Sequence, residues 1–297
     1  MKRTLTVVVT AAVLAIATAS ANAAVVAGTE IDRVTHAVSG EQVFKLHHQA
    51  THVAVSWRGA PTAELQYATS RDGKKFGRLA HVQLDDVANS KANGRTFGSV
   101  VVAGGARYVR VRVSQPLESV SVTSIVAKRR GGITSRSEVR TSANPVAGEQ
   151  PTVISRSGWG ANEALRFKAG VELFPREYYP VQKLVVHHTD GSNIDPDPAA
   201  TVRAIYAYHA ADIADGGTEF GDIGYNFLID REGRIYEGRH GLDFYDPIQH
   251  PNGPTGADQM GKGVTGAHAL GFNSGTVGVA LLGSFMTQRP TDAALNS

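Results

Sequence analysis

The 297-residue chain reads as an all-β region followed by a mixed α/β region. Three observations predict this. Apolar residues alternate with period two between 52 and 126, a polar stretch without periodicity fills 128 to 151, and from Thr152 a helix, a hairpin and a buried strand follow one another. The first region, 34–127, is expected to be a small β-sandwich; the second, 152–297, a mixed central sheet flanked by helices.

A short leader precedes both. Lys2 and Arg3 stand before an apolar run from Val7 to Ala17, and Ala21-Asn22-Ala23 offers the small residues of a signal-peptidase site. Residues 1–23 therefore read as a signal peptide, cleaved after Ala23. The apolar run is shorter than the roughly 20 residues that span a bilayer, and no later run is longer. No membrane span is expected, and the mature protein should be secreted. Losing Lys2 and Arg3 takes the basic residues from 30 to 28 against 27 acidic ones. That balance lacks the clustered cationic excess a nucleic-acid partner requires. With 0 cysteines, an exported chain has no disulfides and owes its stability to packing.

In the first region the expected strands are "HVAVSW" (52–57), "AELQYATS" (63–70), "SVVVAG" (99–104), "RYVRVRVS" (107–114) and "SVSVTSIV" (119–126). Val109, Val111 and Val113 alternate with Arg110 and Arg112, as a strand with one wet face requires. Turns are expected at "SRDGKK" (70–75) and "AGGAR" (103–107). "HHQATH" sets His48 and His52 on one face of a strand and His47 on the other, which reads as a solvated strand end rather than a metal cluster. The Gly-, Ser- and Arg-rich stretch 128–151 reads as an exposed linker.

In the second region "KLVVHHTDGSN" (183–193) predicts a strand buried on both faces over Leu184–Val186, ending in His187 and His188, which point to opposite sides. Asp197 before Pro198 predicts an N-cap and first turn, with the helix running through 199–213 and Val202, Ile205, Tyr206 and His209 on its apolar face. "YNFLIDREGRIYEG" (225–238) predicts a hairpin turning at Glu232-Gly233, and "TVGVALLGSF" (276–285) a further buried strand. Arg239 and His240, after the hairpin, read either as contacts for an acidic peptide or as solvated.

Five segments in register, "SRSGWGANE" (155–163), "VVHHTDG" (185–191), "YHAADI" (208–213), "DIGYNFLIDREGRIYEGR" (222–239) and "GAHALGFNSGTVGVALLGSF" (266–285), resemble the zinc amidase family that includes the peptidoglycan recognition proteins. The resemblance covers about half the chain and implies that family's fold. It also implies an N-acetylmuramoyl-L-alanine amidase, which hydrolyses the amide joining N-acetylmuramic acid to the L-alanine of the stem peptide. In the family one Zn2+ is held by two histidines and one cysteine or similar ligand, with a fourth position open to water. By this resemblance His187 is a zinc ligand and Tyr225 the catalytic tyrosine beside the metal. His209, His268 and Asn273 take substrate-binding positions, and His188 faces away as a structural residue donating to a backbone carbonyl. The partner implied is peptidoglycan, glycan and stem, met by a monomer in the cell wall.

The sequence departs from the family at its end. The second and third ligands belong to a late stretch after a C-terminal helix, and this chain stops at "PTDAALNS". A C-terminally truncated amidase domain is expected, with one face of its sheet uncovered. The rival reading is a non-catalytic peptidoglycan-binding protein. A generic adhesion protein does not account for five ordered motifs. "SRDGKKFG" and "ARYVRVRV" look like pieces of galactose-binding jelly rolls, with Trp57 and Tyr67 as the available platform aromatics, so the first region is a candidate for wall targeting.

Overall fold

A computed structural model describes residues 29–90, 94–127, 150–241, 255–258 and 260–297. The expected signal peptide, and the expected linker up to 149, lie outside the described residues.

The first unit holds seven strands: β1 (Thr29–Val38), β2 (Glu41–Arg58), β3 (Leu65–Ser70), β4 (Ala80–His81), β5 (Arg95–Phe97), β6 (Val101–Val113) and β7 (Leu117–Ala127). They form one antiparallel sheet in the order β1-β7-β2-β6-β3-β4, with β5 added to β2. The unit is all-β as expected, but it is a single hydrogen-bonded sheet rather than two stacked ones. The long strand β2 makes this possible: its first half pairs with β6, its second with β7 and β5, and the register shifts between Lys45 and Ala50. Phe44, Val55, Trp57, Val109, Val111, Val120 and Val122 fill the interior. The valines of β6 are buried as the alternation requires, and Arg110 and Arg112 on its other face meet Glu41 at 3.3 and 2.9 Å. The turn expected at 103–107 is instead an irregularity inside β6, where Gly104 and Gly105 take φ of 58° and 82° and let the ladder continue.

The second unit begins with β8 (Val153–Ile154), α1 (Arg156–Trp159), β9 (Phe167–Lys168), β10 (Val171–Glu172) and β11 (Tyr178–Tyr179). It continues through β12 (Lys183–His188), α2 (Pro198–Ala210), β13 (Phe227–Ile229), β14 (Ile235–Glu237), β15 (Gly263–Val264), β16 (Thr276–Leu281) and α3 (Asp292–Leu295). A five-stranded mixed sheet, β12-β16-β13-β14-β8, is its centre. Among the described residues its one antiparallel pair is the expected hairpin β13–β14, closed by Gly233 at φ 79°. α2 is capped as read, the Asp197 carboxylate accepting from the Ala200 N–H at 3.3 Å.

Two expectations about burial fail. Leu184 and Val186 are 64% and 60% exposed, because β12 is an edge strand and nothing among the described residues covers their face. Helix α2, expected to bury one face, is buried nearly all round. Tyr206 and Arg203 face its own unit, bonding Asn162 and Trp159 carbonyls. Thr201 and Tyr208 face the first unit, where they meet His52 and Phe97. Phe97, Ile125 and Ala127 thus share one core with Trp159, Val202, Ile205 and Leu228.

His52 is therefore buried in this contact, not solvated. Thr201 donates to the Asp195 carboxylate at 2.5 Å, so His52 Nε2–H donates to the Thr201 oxygen, 2.8 Å away. His47 and His48 stay exposed, as expected. Arg239 is neither solvated nor open to a peptide: buried, it donates to Asp222 at 2.8 Å, and Arg156 reaches the other oxygen of Asp222 at 2.9 Å. His240 is also buried, its backbone N–H on Asp222. Burial alone would raise the Asp222 carboxyl, but the two guanidiniums hold it below the usual carboxylate range.

Candidate functional site

The site forms at the ends of β12, β13 and β16. His187, the penultimate residue of β12, lies on the face opposite Leu184 and Val186, and the parallel register sets it beside Ala280 of β16. Its Nε2 lies 3.1 Å from Nδ1 of His268, 81 residues away in sequence. Tyr225, two residues before β13, sets its ring 5.9 Å from that of His187, and His209 of α2 stands 6.2 Å from Tyr225. His187, His209, His268 and Tyr225 are thus brought together. Asn273 is not part of this cluster; its side-chain oxygen accepts from the Ala269 N–H at 2.8 Å and closes the loop after His268.

Glycine at 278 makes the cluster possible. A Cβ there would lie 2.2 Å from the His268 ring, so only a bare backbone on β16 leaves space for the imidazole. Asn226 ties the strands behind it: its oxygen accepts from Gly278 N–H at 2.8 Å and its amide donates to the Val264 carbonyl at 2.7 Å. Sequence reasoning missed Asn226, although an amide inside the apolar alternation of "YNFLI" was a signal for it.

The hydrogen bonds assign proton positions. The Thr276 hydroxyl donates to the carbonyls of Phe272 and Asn273, so His268 Nε2–H donates to the Thr276 oxygen at 3.3 Å. His268 Nδ1 then accepts from His187 Nε2–H. Both rings are held neutral: burial first, then the neighbouring His187, lowers His268 to about 4, and burial likewise lowers His187, opposed by the nearby Asp86 carboxylate. His209 Nδ1 accepts from Gly224 N–H at 3.5 Å, leaving Nε2–H to donate to Asp85 at 3.1 Å. The Tyr225 phenol is pushed well above its ordinary value, by burial and then by Asp85, Asp86 and Asp190. It is a neutral hydrogen-bond donor at any working pH.

His188 faces the other side, as read, but its role is reversed: Nδ1 accepts from Phe285 N–H at 3.0 Å instead of donating to a carbonyl. Asp85 and Asp86 were not anticipated at all. They arrive from the first unit, and no local pattern in "VQLDDVANS" announces a contact more than a hundred residues away.

The described residues do not make a zinc site. Among them no group of three or more His, Cys, Asp or Glu side chains is placed to hold a metal. The Nε2 of His187 is turned to His268 rather than to an open position. What remains is a buried cluster in which the Tyr225 phenol stands beside the paired His187 and His268 imidazoles.

Residues 177–297 match the family described as N-acetylmuramoyl-L-alanine amidase. Peptidoglycan-recognition protein 2 of Holotrichia diomphalia is 28% identical over 149 residues, 50% of this chain and 62% of the relative. Peptidoglycan recognition protein 3 of Homo sapiens is 28% identical over 149 residues, 50% of this chain and 34% of the relative. The chain therefore spans less than two thirds of either relative. The structure of Drosophila peptidoglycan recognition protein SA aligns at 28% identity with a TM-score of 0.33, covering 49% of this chain and 66% of that one.

Proposed function

We propose that this is an exported protein that engages peptidoglycan at the amide between N-acetylmuramic acid and L-alanine, and hydrolyses it; the similarity of the domain at residues 177–297 to the N-acetylmuramoyl-L-alanine amidase family supports this reading. One observation carries the reading: His187, His268 and Tyr225 converge within that domain. Tyr225, neutral and beside His187, is the donor for the amide oxygen as it gains charge. His187 and His268 position the amide, and the loop closed by Asn273 borders the site for the glycan or stem.

A second reading, recognition without cleavage, is favoured by a separate observation: among the described residues no group of three or more His, Cys, Asp or Glu side chains is placed to hold a metal. The chemistry that this chain's described side chains supply is binding and orientation of the amide. The first unit is proposed as a wall-targeting module, and secretion follows from the leader at 1–23.

One experiment separates the readings. The full mature chain, purified without chelator, is assayed for metal by elemental mass spectrometry and incubated with purified peptidoglycan. New L-alanine amino termini with about one zinc per chain support hydrolysis. Retention on the wall with neither product nor metal supports recognition. Neither retention nor product overturns the proposal.

A further inference from the structure

The first unit reaches into the cleft through one short segment. Asp85 is buried and takes the His209 Nε2–H at 3.1 Å; Asp86 places Oδ2 4.0 Å from Nδ1 of His187. Val87, fully buried, packs on Gly224, the residue before Tyr225. A Cβ at Gly224 would lie 3.1 Å from the Cβ of Val87. The segment is braced on its own side: Asp85 Oδ1 accepts from Ala88 N–H at 2.8 Å, and Asn89 donates to the Asp85 and Phe97 carbonyls at 2.7 Å. It is a wedge with a defined shape.

We propose that the segment Asp85–Val87 is a built-in occupant of the cleft, a closure that must withdraw before a ligand can reach His187 and Tyr225. Two observations and one electrostatic argument support this. Tyr225 and His268 are only 3% and 2% exposed, so the reacting end of the cleft has almost no open surface. The wedge places the Asp85 carboxylate on the His209 imidazole and holds the exposed Asp86 carboxylate 4.0 Å from His187, so carboxylates already stand where an acidic ligand would enter. A permanent wall bearing Asp85 and Asp86 would repel a stem peptide with free carboxylates, whereas a displaceable one yields the imidazoles to it. The identity of the ligand rests on the peptidoglycan reading; the closure does not.

The chain contains no cysteine, so a pair can be placed without interference. In the full chain carrying Val87→Cys and Gly224→Cys, the two Cβ atoms stand 3.1 Å apart, a few tenths of an ångström short of disulfide range, so the bond forms with a small outward shift of the wedge. The bond should form on oxidation and lock the wedge. Labelling of His187 by diethyl pyrocarbonate, read by peptide mass spectrometry, should be about tenfold slower in the oxidised than in the reduced form. His188 on the opposite face should label equally in both. Failure to cross-link, or equal labelling of His187, overturns the closure. A second variant needs no new bond: Asp85→Ala with Val87→Ala should speed His187 labelling over the unaltered chain, and an unchanged rate overturns the proposal. Titration with a muramyl tripeptide then tests the ligand. Binding by the reduced form alone supports both readings, and equal binding by both forms overturns the closure. Binding by neither, with the labelling difference intact, leaves the closure standing and removes the peptidoglycan reading.

Discussion

Tyr225 is the side chain whose removal is cleanest to interpret. Phenylalanine keeps its ring against His187 and His209 and deletes only the hydroxyl. If that hydroxyl meets the developing oxyanion, Tyr225→Phe should slow hydrolysis about 100-fold while changing muropeptide affinity by less than about twofold. Equal losses in rate and affinity, measured by product release and by calorimetry, would contradict the role. The nearness of His187 to Tyr225 was legible in the sequence because short motifs, "VVHHTDG" and "DIGYNF", carry them. The pairing of His187 with His268 was not, since it depends on the parallel register of β12 and β16 and on an empty Cβ position at Gly278. Asp85 and Asp86 were invisible for a different reason: a packing contact between units leaves no local pattern.

At the scale of elements, β16 shows how a strand makes room for an imidazole. Gly278→Ala would drive a methyl into the His268 ring, and overpacking of this kind costs about 1–3 kcal/mol. Urea denaturation should show the midpoint falling with the slope unchanged. A midpoint equal to that of the unaltered chain would mean that the ring moves aside freely. The capped helix α2 and the hairpin β13–β14 were readable from Asp197-Pro198 and from the turn at Gly233, because capping and turn chemistry are local. The continuity of β6 through Gly104 and Gly105 was not, because the same two glycines suit a turn and a bulge equally well. Nor was the exposure of Leu184 and Val186. An apolar run looks the same in a central strand and at an edge, and only the strand order distinguishes them.

For the molecule as a whole, His52 makes the contact between units sensitive to acid. Burial first, then the nearby Arg203, lowers its pKa from 6.5 to about 4. The folded chain keeps it neutral while the unfolded chain takes up a proton below 6.5. Its contribution to stability is therefore complete above that pH and is lost as pH falls from 6.5 toward 4, by up to about 3 kcal/mol. His52→Asn removes the titration. Denaturation at pH 7 and pH 4.5 should show the unaltered chain losing more stability than the variant across that interval; parallel losses would place the acid sensitivity elsewhere.

The two-sided burial of α2 bears on how the chain comes apart. A helix that is core to both neighbours cannot be released by one without being uncovered for the other. The change in pattern near residue 128 that separates two units in the sequence therefore marks no energetic boundary. Heating should give one calorimetric transition rather than two. A fragment beginning at residue 150 would carry Tyr208 and its neighbours into water as a sticky stripe, and self-association in that fragment would say nothing about what the intact protein binds.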